Sequence, residues 1–564
     1  MKFTVKETKN AKIFLFLIFI LVILGLLFFL TIPTDFLLSF ANGFTVDGVC
    51  DTCSERNFEI FKIVCGFFIV FFLVMLLFIT KVFNFLKKVS FSTIFIILFV
   101  LAGFLIFHNL GAHSLHGDEA WVASSILEPT ISNMLFYDFP PQSTPPLFLL
   151  VIRAFIDWFG ENELVFRFLP FLFGLGSMAL IYLLMKKFTK NKVIQLLVFS
   201  FFAFNPLILR YSQELKPYIG DVFFVLLLFF LTEQLIERTN FKNWLLLIVS
   251  SLVGLGFSYA LIFVLPAVNF RLLFSRKFKA KIGLLFYDGI LLLEFILLYL
   301  FVITPNLAVS LVNYWEDYFI ADLSFGGIIT FVLSKSYSFF PYLFKLSGFM
   351  FLLFLLGILL VIFTRKYGKF LGMGWYFVIP LPFVLFAALL NKFPFGGVRA
   401  DLFLIPLIFV FVRVGIYFIV NWLIRNRIIK RFVYLFIILI PLIFAFSFHF
   451  LMPLEIEEMQ PVVNYYVENK QDNDFTYVYR GVNWAFSYYY KDNITDRFFI
   501  GDPEIGYDPD LLEVVSSSEG ERLWLLLGHQ DRDLRVGMVE MVNNECILLS
   551  SYQKVNAEAH LFQC

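Results

Sequence analysis

An α-helical protein that crosses the membrane many times, followed by a small α/β domain, is the fold class that three features of the sequence predict. Hydrophobic residues make up 60% of the 564 positions and charged residues only 15%, against roughly a quarter charged in soluble domains. Long apolar runs recur up to residue 451, each bounded by charges or by Pro/Gly turns. From Met452 the composition changes to charged residues and short alternating runs such as Phe475–Tyr479 and Arg522–Leu527.

Stretches of about 16 to 24 apolar residues can each cross a hydrocarbon core roughly 30 Å thick, and about thirteen occur. They lie near 13–32, 59–80, 91–110, 164–185, 191–209, 217–236, 242–257, 258–275, 282–303, 346–364, 370–390, 401–421 and 432–451. The first follows Lys2, Lys6, Lys9 and Lys12, is nearly full span length and has no small-x-small cleavage site close behind it. It reads as an uncleaved anchor rather than a signal peptide. The pair 242–257 and 258–275 meets at Gly256-Phe257-Ser258-Tyr259 and can also be read as one long tilted helix.

Lys and Arg in short loops stay on the cytoplasmic side. One set of loops carries Lys81/Lys87/Lys88, Lys186/Lys187/Lys190/Lys192, Arg276/Lys277/Lys279/Lys281, Arg365/Lys366/Lys369 and Arg425/Arg427/Lys430/Arg431. The opposite loops hold Asp35/Asp47/Asp51/Glu55, Asp118/Glu119/Glu128/Asp138 and Glu316/Asp317/Asp322. This alternation places the N-terminus inside and the C-terminal domain outside. The totals, 44 Lys+Arg against 43 Asp+Glu, leave a net charge of +1 and no bulk electrostatic basis for nucleic acid binding.

The outer loop from Gly111 to Glu163 is the most informative. His116-Gly117-Asp118-Glu119 directly follows a span, where desolvation and mutual repulsion tend to raise one carboxyl and make it a base. Neighbouring acids can also bind a divalent cation, and a solvated loop start is the plain alternative. An amphipathic stretch follows Trp121. Next come Tyr137-Asp138 and Thr144-Pro145-Pro146-Leu147, then the short run Phe148–Phe159 with Arg153 and Asp157 inside it. Too short and too charged for a span, that run reads as a second interfacial helix.

Two further clusters lie at outer span edges. Asn205-Pro206 leads to Arg210-Tyr211-Ser212-Gln213-Glu214-Leu215-Lys216-Pro217-Tyr218, donors and acceptors on Pro-broken backbone. Gly396-Gly397-Val398-Arg399-Ala400-Asp401 puts a planar cation, the kind that grips phosphate, after a tight turn. Snorkelling side chains are the alternative in both places. Arg167, Asp288, Glu294 and Arg413 sit in or beside apolar runs, where ion pairing within the bundle accounts for them as well as chemistry does. In an oxidising compartment the five Cys allow disulfides Cys50–Cys53 and Cys546–Cys564. Cys50-x-x-Cys53 can instead be a redox or metal half-site, and Cys65 reads as a buried thiol. The aromatic run Ala485–Tyr490 offers a carbohydrate surface or, more simply, a buried face.

Taken in order, Gly117-Asp118-Glu119, Pro145-Pro146-Leu147, Arg167-Phe-Leu-Pro170, Tyr211-Ser-Gln213-Glu214-Leu-Lys216-Pro-Tyr218 and Gly396-Gly397-x-Arg399 resemble the GT-C glycosyltransferases. The nearest branch resembles bacterial relatives of the dolichyl-phosphate-mannose protein mannosyltransferases and the lipid A aminoarabinose transferases. The resemblance covers roughly residues 91–451, leaving 1–90 as an N-terminal two-span addition and 452–564 as the extracytoplasmic domain. Leu215-Lys216 departs from the family's Ala-Arg, and Thr144 stands where His or Lys is frequent, which removes a metal or phosphate ligand there.

The resemblance implies an inverting transfer of a sugar from a polyprenyl-phosphate donor at the outer face of a bacterial inner membrane. Asp118 would be the general base. Lys216 and Arg399 would lie by the carrier phosphate, with Gln213 and Tyr218 in the same donor segment. Glu119 and Glu214 would position sugar or ion, making Asp118, Glu119 and Glu214 the candidates for a divalent metal. His116, Tyr137 and Asp138 would border the acceptor, which is a lipid, glycan or protein; membrane lipids are the other partners, and nucleic acid is not one. A transporter, flippase or polymerase of lipid-linked glycans is the alternative. Transporters place broken helices near the midplane, whereas here the charges gather at the outer edge. A receptor or scaffold working through its tail is a third reading.

Overall fold

The computed structural model describes residues 90–136, 144–275, 277–278, 280–306, 314–337, 339–340, 347–364, 370–397, 399–451, 457–502, 507–529 and 532–564, with scattered positions before residue 90. The expected spans 13–32 and 59–80 lie largely outside the described residues, as do Cys50, Cys53, Cys65, Tyr137 and Asp138.

The chain is a multi-pass integral membrane protein. Among the described residues seven helices are long and apolar enough to span: Phe91–His108, Glu163–Phe188, Tyr218–Glu237, Gly283–Ile303, Gly372–Leu389, Leu402–Leu423 and Ile429–Ser447. Four more apolar helices, Lys192–Ala203, Phe241–Phe257, Leu261–Leu273 and Gly348–Phe363, are shorter. The helices used below are α1 (Phe91–His108), α2 (Gly117–Ile126), α3 (Ile131–Leu135), α4 (Pro146–Phe159), α5 (Glu163–Phe188), α6 (Lys192–Ala203), α7 (Pro206–Tyr211) and α8 (Tyr218–Glu237).

Local chemistry explains where these helices begin and break. The expected run 191–209 is interrupted because Asn205 turns back to accept hydrogen bonds from the backbone of Leu207 and Ile208, and Pro206 opens α7. The junction at 256–259 resolves into two helices, with Ser258 in extended backbone between them. A helix at Phe325–Tyr337 lies in what the sequence reads as an outer loop. Its thirteen residues are too few for a span, so hydropathy does not single it out. The loop between α1 and α5 forms helices where the sequence expects them, α2 and α4, plus the short α3.

Helix α8 packs against α5 and against helices Phe241–Phe257 and Leu261–Leu273. Ion pairing also crosses the bundle: Arg271 holds Glu233 at 2.7 and 2.9 Å, and Tyr376 donates to the same carboxylate at 2.9 Å. Satisfying a charge on three helices at once is how a low-dielectric interior tolerates it.

The C-terminal region is α/β. Strands β1 (Phe475–Val478), β2 (Phe498–Ile500), β3 (Arg522–Gly528), β4 (Ile547–Lys554) and β5 (Ala557–Gln563) form one sheet in the order β2-β1-β3-β5-β4. The β1/β2 and β1/β3 pairs are parallel, while β5 runs antiparallel to β3 and β4. Central strand β3, buried from Leu523 to Gly528, reads as a continuous apolar run for that reason. The expected bridge Cys546–Cys564 is present and ties the start of β4 to the chain end. Opening this 18-residue link in Cys564→Ser is expected to destabilise the sheet by about 3 kcal/mol. Pulse proteolysis of the intact protein in urea measures it, and an unchanged midpoint would refute the bridge's role.

Candidate active site

The site is built where α1 ends and the loop to α5 begins. Buried Arg167, one turn into α5, points at this loop and meets Glu119 through two parallel bonds, Nε to Oε1 at 2.8 Å and Nη2 to Oε2 at 2.6 Å. Its remaining donors go to the carbonyls of Leu110 (3.3 Å), His113 (2.9 Å) and Ser114 (2.9 Å). Glu119 Oε1 also accepts from the backbone N–H of Leu215 at 2.7 Å, which ties the Gln213–Lys216 segment to α2. With side-chain exposures of 2% and 1%, this pair lies beneath the site rather than in it.

Asp118, next in sequence, faces the other way and is 40% exposed. Arg399 Nη1 reaches its Oδ2 at 3.0 Å. Lys216 has its ammonium 5.8 Å from the Trp121 ring centre. The Lys216 charge first, then, against burial, those of Arg399, His116 and His529, hold the Asp118 carboxyl well below the usual carboxylate range. Arg399 lies against the rings of Trp315 (4.9 Å), Tyr314 (5.1 Å) and Tyr218 (5.9 Å). The turn before it needs Gly396, whose φ of +82° and 2.5 Å clearance to Lys335 Cβ leave no place for a side chain. Asp401 anchors the turn by accepting from the Gly396 N–H at 2.6 Å.

Glu214 is bonded to Arg210 at 3.1 Å and approaches His116 at 3.6 Å. Burial pushes the Glu214 carboxyl up, but pairing with His116 and the Arg210 charge outweigh it and bring it to about 2. Burial pushes His116 down, and Glu214, Glu119 and Asp118 together leave it raised. Gln213 donates to the Leu105 carbonyl at 3.4 Å, closing the site against the end of α1. The structure therefore brings Asp118, Lys216, Arg399, Tyr218, Glu214 and His116 together at one span edge, with Glu119 and Gln213 behind them. Each of the three candidate metal ligands, Asp118, Glu119 and Glu214, is engaged by a cation, and among the described residues no group of three or more His, Cys, Asp or Glu is placed to hold a metal. Of the other intramembrane charges, Asp288 accepts from Asn269 at 2.6 Å and Arg413 donates to the Leu197 carbonyl at 3.2 Å.

Sequence reasoning did not single out Trp121, Tyr314, Trp315 or His529. Trp121 had a usable signal, because it follows Asp118 by three positions and shares its helix face. His529 lies in the C-terminal domain and reaches the site only through docking.

Residues 143–308 match the family model described as dolichyl-phosphate-mannose-protein mannosyltransferase. The chain resembles the GT-C glycosyltransferases. The matched segment contains Arg167, Glu214 and Lys216, while Asp118 and Arg399 flank it. An uncharacterised protein of Aquifex aeolicus (strain VF5) is 33% identical over 150 residues, 26% of this chain. The chain spans only 30% of that relative's length. Among solved structures, ArnT from Cupriavidus metallidurans bound to undecaprenyl phosphate is similar at a TM-score of 0.48 and 11% identity, over 83% of this chain and 98% of that one. The same protein in the apo state gives 0.45 and 11%, over 84% and 98%.

Two outcomes test the site's construction. Arg167→Leu strands a buried carboxylate, so a loss of about 3–5 kcal/mol is expected as a lower unfolding temperature in detergent, with Arg167→Met/Glu119→Leu recovering part of it. For Glu214 the folded value is below the ordinary 4.5. Its stabilising contribution is therefore present above pH 4.5 and lost as pH falls through about 2. Thermal unfolding of wild type and Glu214→Gln should converge across that window.

Proposed function

We propose that the protein is a membrane glycosyltransferase that moves a sugar from a polyprenyl-phosphate donor to an acceptor hydroxyl on the outer side of the membrane, with inversion at the anomeric carbon. The observation that carries this reading is the Asp118 carboxylate bonded to Arg399 and held ionised by the charge of Lys216 at the end of a span. The mannosyltransferase family match over the adjoining segment supports it.

The chemistry needs a base on one side of the anomeric carbon and fixed positive charge on the other. The acceptor oxygen forms the new bond to carbon as the bond from carbon to phosphate oxygen breaks. Asp118 takes the hydroxyl proton, and the leaving phosphate keeps the bonding electron pair. Lys216 and the Arg399 guanidinium, both largely withdrawn from solvent, stabilise that charge. The aromatic rings around Arg399 exclude solvent and hold the guanidinium in place.

The Asp118–Arg399 bond gives this arrangement an order of events. A carboxylate among cations is a weak base. A lipid phosphate that takes up Arg399 and Lys216 draws their charge away from Asp118, which then holds a proton more readily. Donor binding thus prepares the base for the acceptor. A divalent metal enters no step of this scheme.

Purified protein incubated with a polyprenyl-phosphate sugar and candidate acceptors tests the reading. Asp118→Asn is expected to lower transfer by about 10²–10⁴-fold with donor binding kept, and equal turnover by the two would remove the proposed base. Arg399→Ala is expected to weaken binding of a polyprenyl phosphate and slow transfer together, with Arg399→Lys recovering only part of either because the planar fork is lost.

A further inference from the structure

The partly exposed positions of α2 are Asp118, Trp121 and Ser124, while the remaining residues of the helix are buried. Spaced three apart, these side chains form one stripe along the face that carries the candidate base. The C-terminal domain meets this stripe. Its helix Asn483–Tyr489 packs on α2, and the Trp484 indole lies over that of Trp121 with centroids 5.9 Å apart and planes 16° from parallel. Beside them the Gly481 carbonyl sits 3.6 Å from where a Cβ on Gly117 would lie, and His529 Cβ is 3.2 Å from the same point on Gly481. His529 adopts φ +56°, a conformation that disfavours a side chain. It is held there by Glu457, whose Oε2 is 3.3 Å from Nδ1, with the imidazole 64% exposed.

The interface is secured by His113–Glu458 at 2.5 Å, by the Leu115 N–H to Tyr489 Oη at 2.7 Å and by Tyr488 Oη to Glu161 at 2.9 Å. The docking aromatics Phe486 and Tyr488 are buried, whereas Trp121 and Trp484 both keep solvent contact. The Trp484 indole stacks on the stripe, and the His529 imidazole bears on Asp118 through its charge. A flat apolar ring with a polar rim fits the C–H face and hydroxyls of a pyranose, whereas a phosphate calls for the cations on the membrane side.

We propose that Trp121, Trp484 and His529 form a sugar-binding subsite, completed by the C-terminal domain, that seats the acceptor's pyranose ring beside Asp118. Its role as an acceptor site rests on the transferase reading above, but its occupancy can be measured without turnover. Lys216, 5.8 Å from the Trp121 ring, marks the border with the phosphate side.

The test is saturation-transfer NMR on the full-length protein in detergent with a panel of methyl hexopyranosides. At least one member is expected to receive saturation at its ring C–H protons. Trp484→Ala should weaken that binding about three- to tenfold, and Trp484→Tyr should restore most of it. Tyr489→Phe removes a docking bond but leaves both indoles, and is expected to keep the signal. A short-chain polyprenyl phosphate should leave it in place. No saturation of any member, a signal indifferent to Trp484→Ala, or a signal lost equally in Tyr489→Phe would overturn the subsite. Displacement by the polyprenyl phosphate would put the sugar in the donor pocket and overturn the acceptor assignment. Wild-type turnover by Asp118→Asn would instead strike the transferase reading and leave the binding result standing.

Discussion

The buried bond between Arg167 and Glu119 is the constraint on which the rest of the site depends. A guanidinium at the edge of the hydrocarbon is tolerable only when its donors are met. Here the carboxylate takes two and three loop carbonyls take the others. This turns a loop start that would otherwise be mobile into a fixed socket. Because neighbouring helix residues point about 100° apart, anchoring Glu119 inward turns Asp118 outward. The Leu215 bond to the same carboxylate sets the second segment against the first.

Much of the architecture was legible because membrane burial leaves a coarse, strong pattern. The long apolar runs and the break in composition at 452 both follow from solvent, which acts on every residue. The helix break at Asn205-Pro206 lies inside the expected run 191–209, although a capping side chain followed by Pro is a local signal for it. Span lengths were less legible. The stretches 242–257 and 258–275 form helices shorter than a full crossing, because helix ends depend on caps and packing more than on hydropathy.

Within the site, Asp118, Lys216 and Arg399 stood out as charges at the ends of apolar runs. That Asp118 and Arg399, 281 positions apart, share a bond is a fact of tertiary structure with no local trace. Adjacency suggested paired roles for Asp118 and Glu119, whereas helix geometry separates them onto a solvent face and a core face. In the tail, the aromatic run 485–490 drew attention, yet Tyr488 and Tyr489 bond to Glu161 and Glu163 at the mouth of α5. The ring that meets α2 is Trp484, one position earlier.

Adjacent carboxylates at 457 and 458 reach in different directions: Glu458 grips His113 and Ser114, and Glu457 holds His529. Residues 457 and 458 thereby link the segment just before the base to the C-terminal domain. A chimera that grafts a foreign tail onto these spans would have to splice after this pair, or carry residues 113 and 114 along with the graft.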